Sequence, residues 1–171
     1  MQKKHVFRGA TAYVNILTEN SVEAVSIANN HTMDYGQEGY AETKRILDEA
    51  QIPFAEHMGS VTVTTERGLT IGLYALDFVR GTPDLELMCQ QIRQLKETGV
   101  DLVVCAFHWG RENTFQETDD QRKFGQAAID AGASIIWGHH PHVLQPIEEY
   151  NGGIIYYSLG NFVFGGNSDP K

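Results

Sequence analysis

Two kinds of hydrophobic spacing alternate along this chain. Residues 22–28 (VEAVSIA), 101–107 (DLVVCAF) and 135–137 (IIW) are nearly continuous apolar runs, which predicts strands covered on both faces. Between them, apolar residues return every three or four positions. Tyr40, Leu47 and Ala50 share one face of a predicted helix over 37–50, whose other faces carry Glu42, Lys44, Arg45, Asp48 and Glu49. Leu85, Met88, Cys89, Ile92 and Leu95 form the stripe of a second helix, and Phe124, Ala127, Ala128 and Ala131 that of a third over 119–131. Tyr13, Ile16 and Leu17 predict a short helix near the start.

Local punctuation agrees with these periods. Thr82, Pro83 and Asp84 read as a helix start, with a hydroxyl N-cap at Thr82, proline in the first turn and an acid at the positive dipole end. Gly99 closes that helix, Thr118 and Gln121 have capping-box spacing for the next, and Gly132 stops it. Residues 52–54 make a brief extended piece, because Pro53 cannot sit in a central ladder. Two hairpins are predicted, 61–65 with 69–75 around Glu66-Arg67-Gly68, and 145–150 with 154–159 around Asn151-Gly152. Strand, helix and strand in alternation predict an α/β sheet with right-handed crossovers in a single domain without repeats or linkers.

Composition narrows the function. A chain of 171 residues with 42% hydrophobic content suits one globular domain with a sizeable core. Its net charge of -9 and lack of any basic run argue against nucleic-acid binding, which depends on cationic contacts to phosphates. No apolar run approaches the roughly 18 residues of a membrane span, and MQKKHVF lacks a signal-peptide core, so the chain as written is expected to be soluble. Cys89 and Cys105 have no disulfide or zinc-knuckle spacing and read as buried thiols.

The chemistry gathers at strand ends. Asn30 and His31 follow the first apolar run, His108 the second, and His139, His140 and His142 the third, after a glycine, Gly138, read as a sharp turn. The carboxyl ends of parallel strands lie on one sheet edge, where open α/β sheets build their sites. Neutral imidazole is the commonest protein ligand for zinc-like ions, so this convergence predicts a metal site. Taken singly, each histidine reads as well as a polar loop residue. His5 and His57 are expected to be surface residues, and Glu112 a solvated loop acid rather than a ligand or base. Asn161 suits either a turn or the site, and Tyr156, Tyr157, Phe162 and Phe164 suit core better than a pocket lining.

Four motifs together carry a family resemblance: ANNHTMDYG around Asn30 and His31, FHWGRE around His108, GHHPHVLQPIE, and SLGNFVFGG. Over nearly its whole length the chain resembles the bacterial capsule-synthesis CapA, or poly-gamma-glutamate biosynthesis (PGA_cap), family. That family is similar in fold to the metallo-dependent, calcineurin-like phosphatases. The resemblance implies a sandwich of two β-sheets flanked by helices and a two-metal centre binding Mn, Zn or Fe. By motif position it implies Asn30, His108, His139 and His142 as metal ligands, with His31 near the leaving group as candidate acid and His140 in a variable position.

The departures are as informative. The family's early Gly-Asp strand end and Asn-Leu-Glu motif, which supply carboxylates, are absent, so the chain is expected to lack the first strands of the fold. A bridging carboxylate normally holds two adjacent cations together. Without it, at most one ion is expected, bound weakly through histidines, with zinc or nickel suited to that donor set. Missing strands would also expose a sheet edge and favour a homodimer. Two functions follow. One is an accessory role in capsule assembly, the pocket binding poly-gamma-glutamate, another anionic polymer or other capsule synthesis proteins, with the parent anchored to the membrane and facing outward. The other is a phosphoesterase-like hydrolase using a metal-bound hydroxide. A purely structural metal would need a closed four-ligand shell, which three loops at a sheet edge do not suggest.

Overall fold

The computed structural model describes residues 5–162. A 3₁₀ turn (Thr11–Val14) leads into α1 (Asn15–Thr18). Then come β1 (Val25–Ser26), α2 (Gly36–Glu49), β2 (Phe54–Ala55), β3 (Gly59–Thr64) and β4 (Thr70–Asp77). The rest is α3 (Leu85–Glu97), β5 (Leu102–His108), α4 (Asp119–Asp130), β6 (Ile135–His139), β7 (Ile147–Tyr150) and β8 (Gly153–Tyr156). Six strands form one mixed sheet in the order β3-β4-β5-β6-β8-β7. Its centre, β4 through β8, is parallel, and an antiparallel hairpin partner closes each side. This is the expected mixed α/β sandwich with helices on the sheet.

The two faces of that sheet bury different residues because side chains alternate along each strand. On one face Leu76, Val103, Cys105, Phe107, Ile136 and Ile155 pack with the helical stripe Met88, Ile92, Phe124 and Ala128. The other face is small and smooth, with Leu73, Ala75, Val104 and Ala106 meeting Ala28 and Ala55. Alanines there allow a second sheet to approach closely. Both cysteines are buried free thiols, as expected. Among the described residues no helix is long and apolar enough to cross a membrane.

Three sequence expectations change. The run 22–28 forms only the two-residue β1, which pairs in parallel with β2 (Val25 with Phe54, Ser26 with Ala55) and never joins the main sheet. Glu23 and Ser26 interrupt its apolar pattern, and of the run only Ala28 is fully buried. The N-cap of α3 is Asp84, not Thr82: its carboxylate accepts the Leu87 N–H at 2.9 Å. A carboxylate satisfies an orphan donor and the helix dipole together. Gly138 makes no turn but lies inside β6, where space rather than φ demands glycine.

Other signals hold. Asn151 and Gly152 join β7 to β8 with φ of 45° and 84°, the double left-handed geometry of a two-residue hairpin. The Thr118–Gln121 capping box is complete. It also extends inward: the buried Gln121 donates Nε2–H to Gln145 Oε1 at 2.8 Å and to the Tyr157 carbonyl at 3.3 Å, while its Oε1 accepts the Thr118 N–H. Gln121→Leu leaves several of these groups unpaired. Denaturant unfolding should show a loss of about 2 kcal/mol, since each stranded buried polar group costs roughly 1–3 kcal/mol.

Candidate functional site

Register brings the site residues level with one another. Asp77 pairs with His108 across β4 and β5, and His108 with His139 across β5 and β6, so three polar residues stand abreast at the carboxyl edge. The loop after β1 completes the group from the second sheet. Asn30 Oδ1 lies 3.0 Å from His108 Nε2, and the His108 and His140 rings are 4.8 Å apart. His31, His108, His139, His140, His142 and Asn161 line one cleft of about 490 Å³. All the expected residues therefore meet, but through stacked sheets rather than one common sheet edge. Ala28 and Ala106 make that stacking close enough for Asn30 to reach His108.

The loops carrying these residues are tied to each other. Trp109 N–H donates to the His139 carbonyl at 3.0 Å, and Asn113 N–H to the Pro141 carbonyl at 2.8 Å. Gln145, buried beneath, donates to the Thr114 and Gln116 carbonyls at 2.8 and 3.1 Å. Thus the loop after β5 and the loop after β6 are joined by main-chain and side-chain hydrogen bonds. His140 and His142 hold left-handed backbones, φ 98° and 62°, conformations that most side-chain-bearing residues avoid. His142 Nδ1 pairs with Asn161 Oδ1 at 2.9 Å, which sets Asn161 against a cleft histidine.

Burial favours the neutral form of three imidazoles. His108 is pushed down to about 3, first by desolvation and then by the neighbouring histidines. Burial also lowers His139, opposed by a hydrogen bond with the Gly160 backbone, and lowers His140, opposed by Glu112. Neutral imidazole is the form that ligates metal. The His31 Nδ1 lies 2.7 Å from the buried carboxylate of Asp34, which also accepts the Phe7 N–H at 2.9 Å, and Phe7 packs edge-on against the His31 ring.

Several residues matter more than their sequence context suggested. His140 faces His108, and its Nδ1 is buried with no hydrogen-bond partner among the described residues. Glu112 is exposed, as expected, yet a carboxylate oxygen lies within 4.8 Å of ligand atoms on both His140 and His142. Asp34 three residues after His31 is a signal that local reading could have used. Asp77 gave none. It is 1% exposed, with Oδ1 accepting the Val79 N–H and Oδ2 3.2 Å from Arg80 Nε. His57 is a surface residue, as expected, although its Nδ1 accepts the Asp77 N–H. His5 is exposed too, and Phe164 lies outside the described residues. Tyr157 is core, whereas Phe162 is fully exposed.

This donor set fits a divalent transition metal. It offers several imidazoles and a carboxamide in one cleft, an orphaned buried nitrogen on His140, and the Glu112 carboxylate within 4.8 Å of ligand atoms on His140 and His142, and nitrogen-rich sets favour zinc-like ions over magnesium.

Comparison with known proteins agrees with these motifs. The family model for bacterial capsule synthesis protein PGA_cap matches residues 1–166. The chain is 39% identical over 171 residues to "PGA biosynthesis protein CapA" of Bacillus subtilis, covering 88% of this chain and 45% of that protein. It is 36% identical over 174 residues to "Capsule biosynthesis protein CapA" of Bacillus anthracis, covering 88% and 42%. A probable polyglutamine synthesis accessory protein of Mycobacterium tuberculosis is 27% identical over 180 residues, covering 88% and 47%. The chain thus spans less than half the length of these relatives. With the family model matched over nearly its whole length, the chain belongs to the bacterial capsule synthesis protein PGA_cap family.

Proposed function

We propose that this chain is part of an accessory protein of poly-gamma-glutamate capsule synthesis, and that its histidine cleft holds a divalent ion through which an anionic polymer or partner is engaged. The observation that carries this reading is the meeting of Asn30, His31, His108, His139 and His142 from three separate loops around one cleft. Asn30, His108, His139 and His142 would hold the ion, which supplies the concentrated positive charge that polymer carboxylates require. Electrostatics favours such a device here. The chain carries a net charge of -9, and no lysine or arginine is among the described residues that line the cleft. A polyanion is repelled by diffuse negative charge unless a local cation offsets it.

A second reading, a metal-dependent phosphoesterase-like hydrolase, is favoured by one further feature. The Asp34 carboxylate against Nδ1 holds the His31 ring and fixes where its proton sits, as a general acid requires. The two readings separate in one experiment. Metal-free protein is reloaded with manganese, zinc or iron and tested for poly-gamma-glutamate binding and for phosphodiester turnover, alongside His108→Ala and His142→Ala. The accessory role predicts metal-dependent polymer binding without turnover, lost in both variants. Metal-dependent turnover lost in both variants selects the hydrolase, and polymer binding indifferent to metal contradicts the proposal.

A homodimer belongs to the same proposal. The strands β3 and β7 form the outer edges of the main sheet, and Leu144, Ile147 and Leu159 are exposed in and around β7. Unpaired edges and apolar surface together favour association. Light scattering should therefore show a dimer at high concentration; a stable monomer there would count against it.

A further inference from the structure

Two loops meet at the mouth of the cleft, and each brings ligand-type side chains. Glu112 stands in the β5–α4 loop, four residues beyond His108, while His140 and His142 stand in the loop after β6. One donor atom from each lies within 4.8 Å of the other two. We infer that Glu112, His140 and His142 form a site for one divalent transition-metal cation of the zinc type, on the loop side of the cleft and apart from the Asn30–His108 pair. The inference rests on the reading of the cleft as metal-binding only through His142, which both donor sets share.

Geometry and donor chemistry both support this assignment. Ligand atoms about 2.1 Å from one ion stand roughly 3–4 Å apart, so a small side-chain adjustment closes the set. Two imidazoles and one carboxylate leave coordination positions open, the arrangement of a site that meets an outside ligand rather than a closed structural one. His140 Nδ1 is buried without a hydrogen-bond partner among the described residues, as expected of an atom kept for something the apoprotein does not supply. His108 Nε2 and Asn30 Oδ1, by contrast, face each other at 3.0 Å. An ion on Glu112, His140 and His142 leaves that contact intact.

The scaffold holds the three donors in place. The Asn113 N–H to Pro141 carbonyl bond fixes the residue after Glu112 to the residue between the two histidines. Gln145 pins the same loop from below through the Thr114 and Gln116 carbonyls. Asn161 orients the His142 ring through Nδ1, the kind of outer contact that supports a metal-ligating histidine. No such long-range bracing is expected around a loop acid that merely meets solvent.

Cobalt(II), whose visible absorption reports its ligands, tests the assignment. The unsubstituted protein should take up cobalt, Glu112→Gln and His140→Ala should bind it at least tenfold more weakly with altered spectra, and His57→Ala should behave as the parent. Glu112 is exposed and its replacement nearly isosteric, so loss of the fold does not confuse the result; thermal melts verify this. Parent-like affinity in both Glu112→Gln and His140→Ala overturns the inference. If His108→Ala then loses cobalt, the cleft remains metal-binding and only the donor set is wrong. No cobalt uptake by the unsubstituted protein overturns both.

Discussion

Gly138→Ala should leave the protein largely unfolded or lower its thermal midpoint by roughly 10 °C. A methyl group at this position of β6 would overlap the Tyr157 carbonyl oxygen and the indole nitrogen of Trp109. Neither neighbour can give way. The Tyr157 carbonyl accepts the Trp109 Nε1–H at 2.8 Å and also the Gln121 side chain, and Trp109, 1% exposed, is wedged against Phe107, Phe78 and Tyr157. Overpacking against fixed backbone costs about 3 kcal/mol or more, and a domain of this size loses roughly 2–4 °C per kcal/mol. Circular dichroism melts of the variant beside the parent check the expectation. Gly72→Ala is the natural control: there the nearest atoms to the added methyl belong to the Leu95 side chain rather than to backbone, so a smaller effect is expected.

Gly138 also marks the limit of what the sequence makes legible. Most of what is encoded locally came through: the apolar stripes of α3 and α4, the Thr118–Gln121 box and the Asn151-Gly152 turn all depend on residues a few positions apart, although the α3 cap fell on Asp84 rather than Thr82. The glycine itself was visible, but its reason was not, because the atoms that exclude a side chain belong to residues 109 and 157. The misjudged run 22–28 fails for the same kind of reason. Whether an apolar segment joins the main sheet or lies over it is decided by what it pairs with, here Phe54 and Ala55. At the cleft, motif spacing found the histidines on their separate loops. It could not show Glu112 meeting His140 and His142, because the Asn113–Pro141 bond that joins their loops spans 28 residues of chain.

His142→Ala should reduce divalent-metal affinity by at least about 100-fold while leaving the fold intact. Loss of an outer contact to a ligand typically lowers affinity 10–100-fold, and loss of the ligand itself should do no less. His142 is the residue common to the motif-derived set with Asn30, His108 and His139 and to the loop set with Glu112 and His140, so its removal weakens the site whichever set holds the ion. Its side chain is exposed, and a left-handed φ of 62° suits alanine several-fold less well than histidine, so stability should fall by no more than about 1 kcal/mol. Calorimetric zinc titration of parent and variant, with melts of both apoproteins, gives the two quantities side by side. Asn161→Ala should produce a milder, roughly tenfold loss by releasing the His142 ring from its Nδ1 partner.

The claim on which the functional reading depends is that the histidine cleft holds a divalent ion. Anomalous diffraction at the zinc edge, from crystals equilibrated with zinc, tests it without assuming any activity. The expected result is a peak inside the cleft, within bonding distance of imidazole nitrogens drawn from His108, His139, His140 and His142. A saturated crystal with no peak in the cleft, or with zinc only at an outlying residue such as His57, would contradict it.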